Sequence, residues 1–188
     1  MTDAAQQRMT LAEFLVWDDG TDTRYELIAG VPVATAPPAR AHAELTASLI
    51  LALGRRLKKP CRPLSEAGLV PEGSSRTYLQ ADIAIACTPG AAGDRHLSDP
   101  VVLIEVLSPS TQDHDRGFKL PIYRTLSSVQ EIALVSSTSR HIELWRRAGE
   151  VWQVQDLVGG AVARLESVSA EIPLAEIYDG VALAPETT

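Results

Sequence analysis

The chain has only two cysteines, Cys61 and Cys87, and they stand in no spacing that would make a zinc site. Residues 1–8 carry no apolar signal segment, so two reduced thiols in a cytoplasmic protein are expected. No apolar run approaches the roughly 20 residues that a bilayer-crossing helix needs, so no membrane partner is expected. Positive charge is short. Seventeen Lys and Arg stand against twenty-four Asp and Glu, a net charge of −7, which argues against coating nucleic acid through the overall field but leaves room for a local basic groove. A Gly-rich phosphate loop, a Gly-x-Ser-x-Gly elbow and a Cys-His pair at a recognisable spacing are all missing, which removes the commonest signatures of nucleotide-binding, serine-hydrolase and thiol chemistry. With no internal repeat, low-complexity segment or long linker, residues 1–188 are expected to form one domain.

What is present is an ordinary globular composition, 45% hydrophobic and 22% charged, in a chain long enough to bury a core without disulfides or metals. Its most informative stretch is residues 101–108, VVLIEVLS, bounded by Asp99-Pro100 and Ser108-Pro109. A run this rich in β-branched and aliphatic residues predicts a strand buried on both faces at the centre of a sheet. Glu105 is the misfit. An ionised carboxylate there costs several kcal/mol unless it is paired or coordinated, which makes it a candidate metal ligand. A structural ion pair or a solvated edge is the plainer reading.

Around that strand, Thr10-Leu11-Ala12-Glu13 is a capping box that opens a short helix. Residues 24–28 and 31–34 flank Ala29-Gly30 as a hairpin, with Glu26 facing away from Tyr25 and Leu27. Taken alone, Glu26 reads as the wet face of an edge hairpin. Residues 41–59 predict one long helix with Leu45, Leu49 and Leu53 on its buried side and His42 in its first turn. Residues 64–70 and 78–86 predict strands. On the second, Gln80, Asp82, Ala84 and Ala86 share a face, which leaves room beside Asp82 for an ion or a phosphate. Residues 113–124 predict a helix despite Gly117 and Pro121, with Asp115, Lys119 and Tyr123 four apart on one face. Strands are expected over residues 131–135, 142–147 and 151–157, then one further strand and a short helix near residues 174–178. Trp145 and Trp152 read as cross-strand packing or dimer-contact residues.

Asp82 and Glu105 on adjacent strands, with Glu26 on the preceding hairpin, form the oxygen-rich donor set that suits a hard divalent cation. In order, Tyr25-Glu26-Leu27-Ile28-Ala29-Gly30, His42, Asp82-Ile83-Ala84-Ile85, Ile104-Glu105-Val106-Leu107-Ser108-Pro109-Ser110-Thr111 and Asp115 with Lys119 and Tyr123 resemble the Uma-two family of the PD-(D/E)XK, or restriction-endonuclease-like, superfamily. The likeness covers roughly residues 10–147. It implies an α/β fold with a mixed central β-sheet flanked by helices; the additional C-terminal β-hairpins expected over residues 148–188 come from the strand pattern there and lie outside the likeness. It implies a Mg2+- or Mn2+-dependent endonuclease acting on DNA. Asp82, Glu105 and the Val106 carbonyl would hold the metal, Glu26 a second ion or a water, and Lys119 would assist the attacking hydroxide. Two departures stand out. Ala81 replaces the superfamily's proline, and Leu107 occupies the place of its lysine, so Lys119 would have to supply that cation from the following helix. The alternatives are a non-catalytic nucleic-acid- or protein-binding module on a decayed scaffold, and a structural homodimer with solvated carboxylates.

Overall fold

The computed structural model describes residues 8–183. A six-stranded mixed sheet runs in the order β3-β4-β5-β6-β7-β8. Its strands are β3 (Arg62–Leu69), β4 (Leu79–Ala86), β5 (Pro100–Leu107), β6 (Glu131–Ser136), β7 (His141–Ala148) and β8 (Val151–Val158). Only β5 and β6 are parallel, and every other neighbouring pair is antiparallel. The remaining elements flank this sheet: α1 (Leu11–Val16), the hairpin β1 (Tyr25–Ile28) and β2 (Val31–Ala34), and α2 (Arg40–Arg56). A helical stretch follows β5, made of α3 (Gln112–His114), a π-helical turn (Asp115–Lys119) and α4 (Leu120–Tyr123). A second hairpin, β9 (Val162–Leu165) and β10 (Ala170–Pro173), precedes α5 (Leu174–Ile177). This is the mixed sheet flanked by helices that the sequence predicts.

The run at residues 101–108 is the central strand because its side chains alternate between two buried surfaces. Val102, Ile104 and Val106 pack with Leu45, Leu49 and Leu53 of α2, while Leu103 and Leu107 pack with Leu120 and Tyr123 of α4. Glu105 lies on the second of these faces, between Leu103 and Leu107. The hairpin that carries Glu26 turns through two positive-φ residues, Ala29 (φ 50°) and Gly30 (φ 86°), as a tight right-twisted hairpin requires. A side chain at Gly30 would also collide with Arg8 and the Met9 carbonyl, so the turn tolerates little else.

Several local expectations change. The long helix stops at Arg56, before the predicted residue 59, and β9 and β10 replace the single C-terminal strand. The predicted helix over residues 113–124 forms with a π turn at its centre, across Gly117. Cys61 and Cys87 are not free thiols. They are joined in a disulfide, because the antiparallel register that pairs Arg62 with Ala86 brings the residue before β3 and the residue after β4 face to face.

Glu131, a carboxylate that the sequence reading left unremarked, is 1% exposed at the start of β6. It accepts hydrogen bonds from the Glu166 and Ser167 amides (2.9 and 3.0 Å), the Ser167 hydroxyl (2.5 Å) and Arg146 Nε (3.1 Å), and so ties the C-terminal hairpin to the sheet. Removing it strands two main-chain amides and takes one partner from the half-buried Arg146 guanidinium. Glu131→Ala is therefore expected to cost about 3 kcal/mol. For a chain of this size that lowers the melting temperature by roughly 6–12 °C. A melting curve within a degree or two of wild type would show that the clamp carries no weight.

Candidate metal and phosphodiester site

Asp82 sits where the pairing of β4 fails on both sides. Towards β5 the ladder stops at Ile83↔Ile104, and towards β3 it steps from Ser65↔Ile83 to Ala67↔Ala81 with no pair at Glu66 and Asp82. Glu66 adopts φ 51° at that step, a strained choice for a residue with a side chain. Its carboxylate is held by Arg24. The parting strands leave the Val106 amide without a backbone partner on β4, and Asp82 Oδ2 takes it at 2.7 Å. The Asp82 amide in turn donates to Glu105 Oε2 at 3.3 Å. Because one residue's N–H and C=O point to the same side of a strand, the Val106 carbonyl also faces this opening.

Lys119 is the hub of the cluster. Its ammonium lies 2.8 Å from the Gln80 carbonyl, 3.1 Å from Glu26 Oε1, 3.3 Å from Glu105 Oε1 and 3.6 Å from Asp115 Oδ1. Glu26, Glu105, Asp115 and Lys119 are 2%, 1%, 4% and 8% exposed. The Tyr123 hydroxyl donates to Glu105 Oε1 at 2.5 Å, so the four-apart spacing of Asp115, Lys119 and Tyr123 does present one face to the β5 carboxylate. Glu26 accepts the Gln80 amide on Oε1 (2.8 Å) and meets His114 Nε2 at Oε2 (3.3 Å). His42 Nε2 meets Asp82 Oδ2 at 3.0 Å.

Burial and charge pull these groups in different directions. Burial pushes the Glu105 carboxyl well above its usual range, against the attraction of Lys119 and with the repulsion of Asp82 and Asp115. Asp115 is raised for the same first reason. Asp82 is half-buried, and what desolvation it has would raise it, yet its hydrogen bond and charge interaction with His42 and the Val106 amide outweigh that and hold it below the usual carboxylate range. Burial alone would weaken the charge on Lys119, but Glu105, Glu26 and Asp115 raise its pKa and keep it ionised. Burial, with Glu105 close by, pushes the Tyr123 hydroxyl well up, so it stays a donor.

The donor set suits a hard divalent cation. Three carboxylates surround the Lys119 ammonium, Asp82 stands beside them as a fourth, and Asp82 Oδ1 has no hydrogen-bond partner among the described residues. Asp82 is also the most open of the four, with 25% of its side chain exposed, beside His42 at 15% and His114 at 39%. Solvent therefore reaches the cluster along the Asp82 side. Of the predicted residues, Asp82, Glu105, Lys119, Glu26 and the Val106 main chain all come together here, as do His42 and Tyr123. Asp115 and His114 join them. The sequence marked Asp115 by its spacing and by the resemblance but gave no role to His114, whose only signal is its place one turn before Phe118. A separate trio, His141, Glu143 and Asp156, brings one potential ligand atom from each within 4.8 Å. His141 Nε2 is 2.7 Å from Asp156 there, and Glu143 is bound by Arg116.

The family model described as "Uma2: Putative restriction endonuclease" matches residues 11–175. Two uncharacterized proteins of Synechocystis sp. are similar along most of their length. One, slr1290, is 24% identical over 178 residues, 93% of this chain and 94% of that protein. The other, sll1609, is 23% identical over 164 residues, 85% of this chain and 93% of that protein. A solved structure from Anabaena variabilis, described as "a putative nuclease belonging to DUF820", superposes with a TM-score of 0.72 at 17% identity. The match covers 93% of this chain and 99% of that one, and shows the same fold.

Proposed function

The chain belongs to the Uma2 family, described as "Putative restriction endonuclease", and from that premise we propose that it hydrolyses DNA phosphodiester bonds with magnesium or manganese. The observation that carries this is the buried Lys119 ammonium, 3.3 Å from Glu105 and 3.1 Å from Glu26, beside a partly open Asp82 at the parting of two strands. A scaffold kept only for packing or binding has no need of three buried carboxylates around one cation, an arrangement that apolar residues replace at little or no loss of stability.

In this reading Asp82, Glu105 and the Val106 carbonyl hold the ion. When bound, it supplies a Lewis acid for the phosphate and a water of lowered pKa. The protein's own groups do the rest. His42 and the Val106 amide fix Asp82, and Tyr123 and Lys119 fix Glu105. Lys119, whose three N–H donors already meet the Gln80 carbonyl, Glu26 and Glu105, acts as a fixed positive charge beside an oxygen that gains negative charge, which matters most in the transition state. Glu26 and Asp115 hold Lys119 ionised and in place, so Glu26 serves better as the anchor of the lysine than as the ligand of a second ion. His114, its side chain 39% exposed at the open side, is placed to meet the phosphate.

The direct test is cleavage of DNA, offered both as a plasmid and as a single-stranded oligonucleotide, by wild type in magnesium or manganese, against a chelator control and the Asp82→Asn variant. Cleavage that needs the metal and Asp82 supports the proposal. Equal cleavage by Asp82→Asn assigns the activity elsewhere. Independently of turnover, magnesium or manganese should raise the melting temperature. An ion at a hundredfold excess over its dissociation constant adds about 2.7 kcal/mol if it binds only the folded state, and Asp82→Asn should remove most of that gain. Identical shifts in the two proteins would place the ion elsewhere.

A further inference from the structure

Next to the carboxylate cluster lies an open cleft of about 350 Å³. The chain has three Trp, four Tyr and two Phe in all, and four of these nine aromatic residues, Phe14, Trp17, Tyr25 and Tyr78, line this one cleft together with Gln80 and Arg95. The rings stand against one another: Trp17 and Tyr25 meet edge to face at 4.9 Å between centroids, and Phe14 and Tyr78 are tilted at 5.5 Å. Tyr78 is buried, while Phe14, Trp17 and Tyr25 keep part of their surface in solvent. Arg95 is exposed. One arm of its guanidinium holds a main-chain carbonyl of α1 at 2.8 Å, and its own carbonyl accepts the Tyr78 hydroxyl at 2.9 Å. Gly68 makes this corner possible, since a side chain there would run into the Tyr78 hydroxyl and the Arg95 carbonyl.

The cleft and the cluster share a wall. Gln80 lines the cleft with its side chain while its amide donates to Glu26 and its carbonyl accepts from Lys119. Tyr25 lines the cleft, and the next residue, Glu26, reaches the cluster. Gln80 and Asp82 lie on the same face of β4, about 6.6 Å apart along the strand. A phosphate at Asp82 therefore has aromatic surface, an amide with donors and an acceptor, and a guanidinium within one nucleotide's reach. Trp17 also stacks beside Phe14 at 6.4 Å, and such a group of partly exposed rings, joined to a cation and an amide, is the chemistry that receives a base withdrawn from its stack. A base paired in a duplex keeps both faces stacked and cannot enter.

Resting on the nuclease reading, we propose that this cleft receives one nucleobase, unstacked from a single strand, beside the phosphodiester at Asp82 and Glu105, so that the substrate is single-stranded or frayed DNA. Trp17 and Tyr25 supply the stacking surface, and Gln80 and Arg95 meet the base edge.

The test uses a short single-stranded oligonucleotide carrying 2-aminopurine, whose fluorescence falls when it stacks on an aromatic ring, with Asp82→Asn protein and no added metal. The expected result is strong quenching that a duplex of the same sequence does not show. Trp17→Leu on the same background should lower affinity about tenfold, the order of one base-aromatic stack, and largely abolish the quenching. Gln80→Leu keeps the rings and guards against a folding artefact. It should leave the quenching but flatten the preference among bases. Equal quenching and affinity in the Trp17→Leu protein, or equal quenching by the duplex, overturns the proposal. Wild-type cleavage in magnesium separates the two readings. Cleavage without quenching removes the base cleft alone, and quenching without cleavage by wild type removes the nuclease reading and leaves a base-binding cleft.

Discussion

Glu105→Gln should lower DNA cleavage by about a thousandfold, the upper range for loss of one electrostatic group in an active site, while leaving the fold as stable as wild type or more so. The two effects have one cause. Glu105 is 1% exposed, and burial raises its carboxyl pKa well above the usual range. A glutamine of nearly the same shape keeps an acceptor for Tyr123 and Lys119 without the desolvation cost. The sign with pH follows. A carboxyl whose folded pKa is raised contributes stability only below its unfolded value, about 4.3, and loses it as pH rises towards the folded value. In a chelator, wild type should therefore lose stability relative to Glu105→Gln as pH climbs from about 4.3. Thermal melts across pH, beside cleavage rates, check both halves. A variant that is destabilised and still cleaves would mean that Glu105 is a structural pair.

Lys119→Met carries the second large effect, and here the structure changes what the sequence suggested. Read as a helix-face lysine, its removal would have left folding nearly intact. In the fold its ammonium stands among Glu26, Glu105 and Asp115, and taking it away leaves three carboxylates facing each other out of water. The expected cost is about 3 kcal/mol or more, as for a buried pair that loses one partner, together with a drop in cleavage of at least a hundredfold. The loss of stability should be partly recovered by magnesium, because a divalent cation can take over the neutralising role, whereas cleavage should not recover. Urea melts with and without the ion separate the two. A Lys119→Met protein with wild-type stability in chelator would mean that the carboxylates are relieved by protons or water and that the ammonium carries no weight in the fold.

Local signals made much of this legible. The apolar run around Glu105 reads as a central strand, and its one carboxylate as a cost that pairing or coordination must offset. The four-residue spacing of Asp115, Lys119 and Tyr123 survived because a π turn absorbs Gly117 without rotating that face away from β5. What stayed hidden depends on contacts between distant segments. Glu66 takes φ 51° only because β3 and β4 part at Asp82, and no residue near Glu66 in sequence announces that. Cys61 and Cys87 are 26 residues apart in the chain and meet through the β3–β4 register. Glu131 sits in an apolar strand just as Glu105 does, yet its lone pairs are met by Arg146 and by main-chain amides. The sequence has no means of telling a clamp from a site. The partners decide it, a guanidinium and amides in one case, a lysine among further carboxylates at an opening in the other.

The central claim is that the parting of β4 from β5 is where the metal sits, and anomalous diffraction from crystals soaked in manganese tests it most directly. The predicted result is a peak bonded to Asp82 and Glu105, beside the Val106 carbonyl, that disappears in Asp82→Asn. A peak confined to His141, Glu143 and Asp156, the trio whose ligand atoms already lie within 4.8 Å of one another, with none at Asp82, would contradict it.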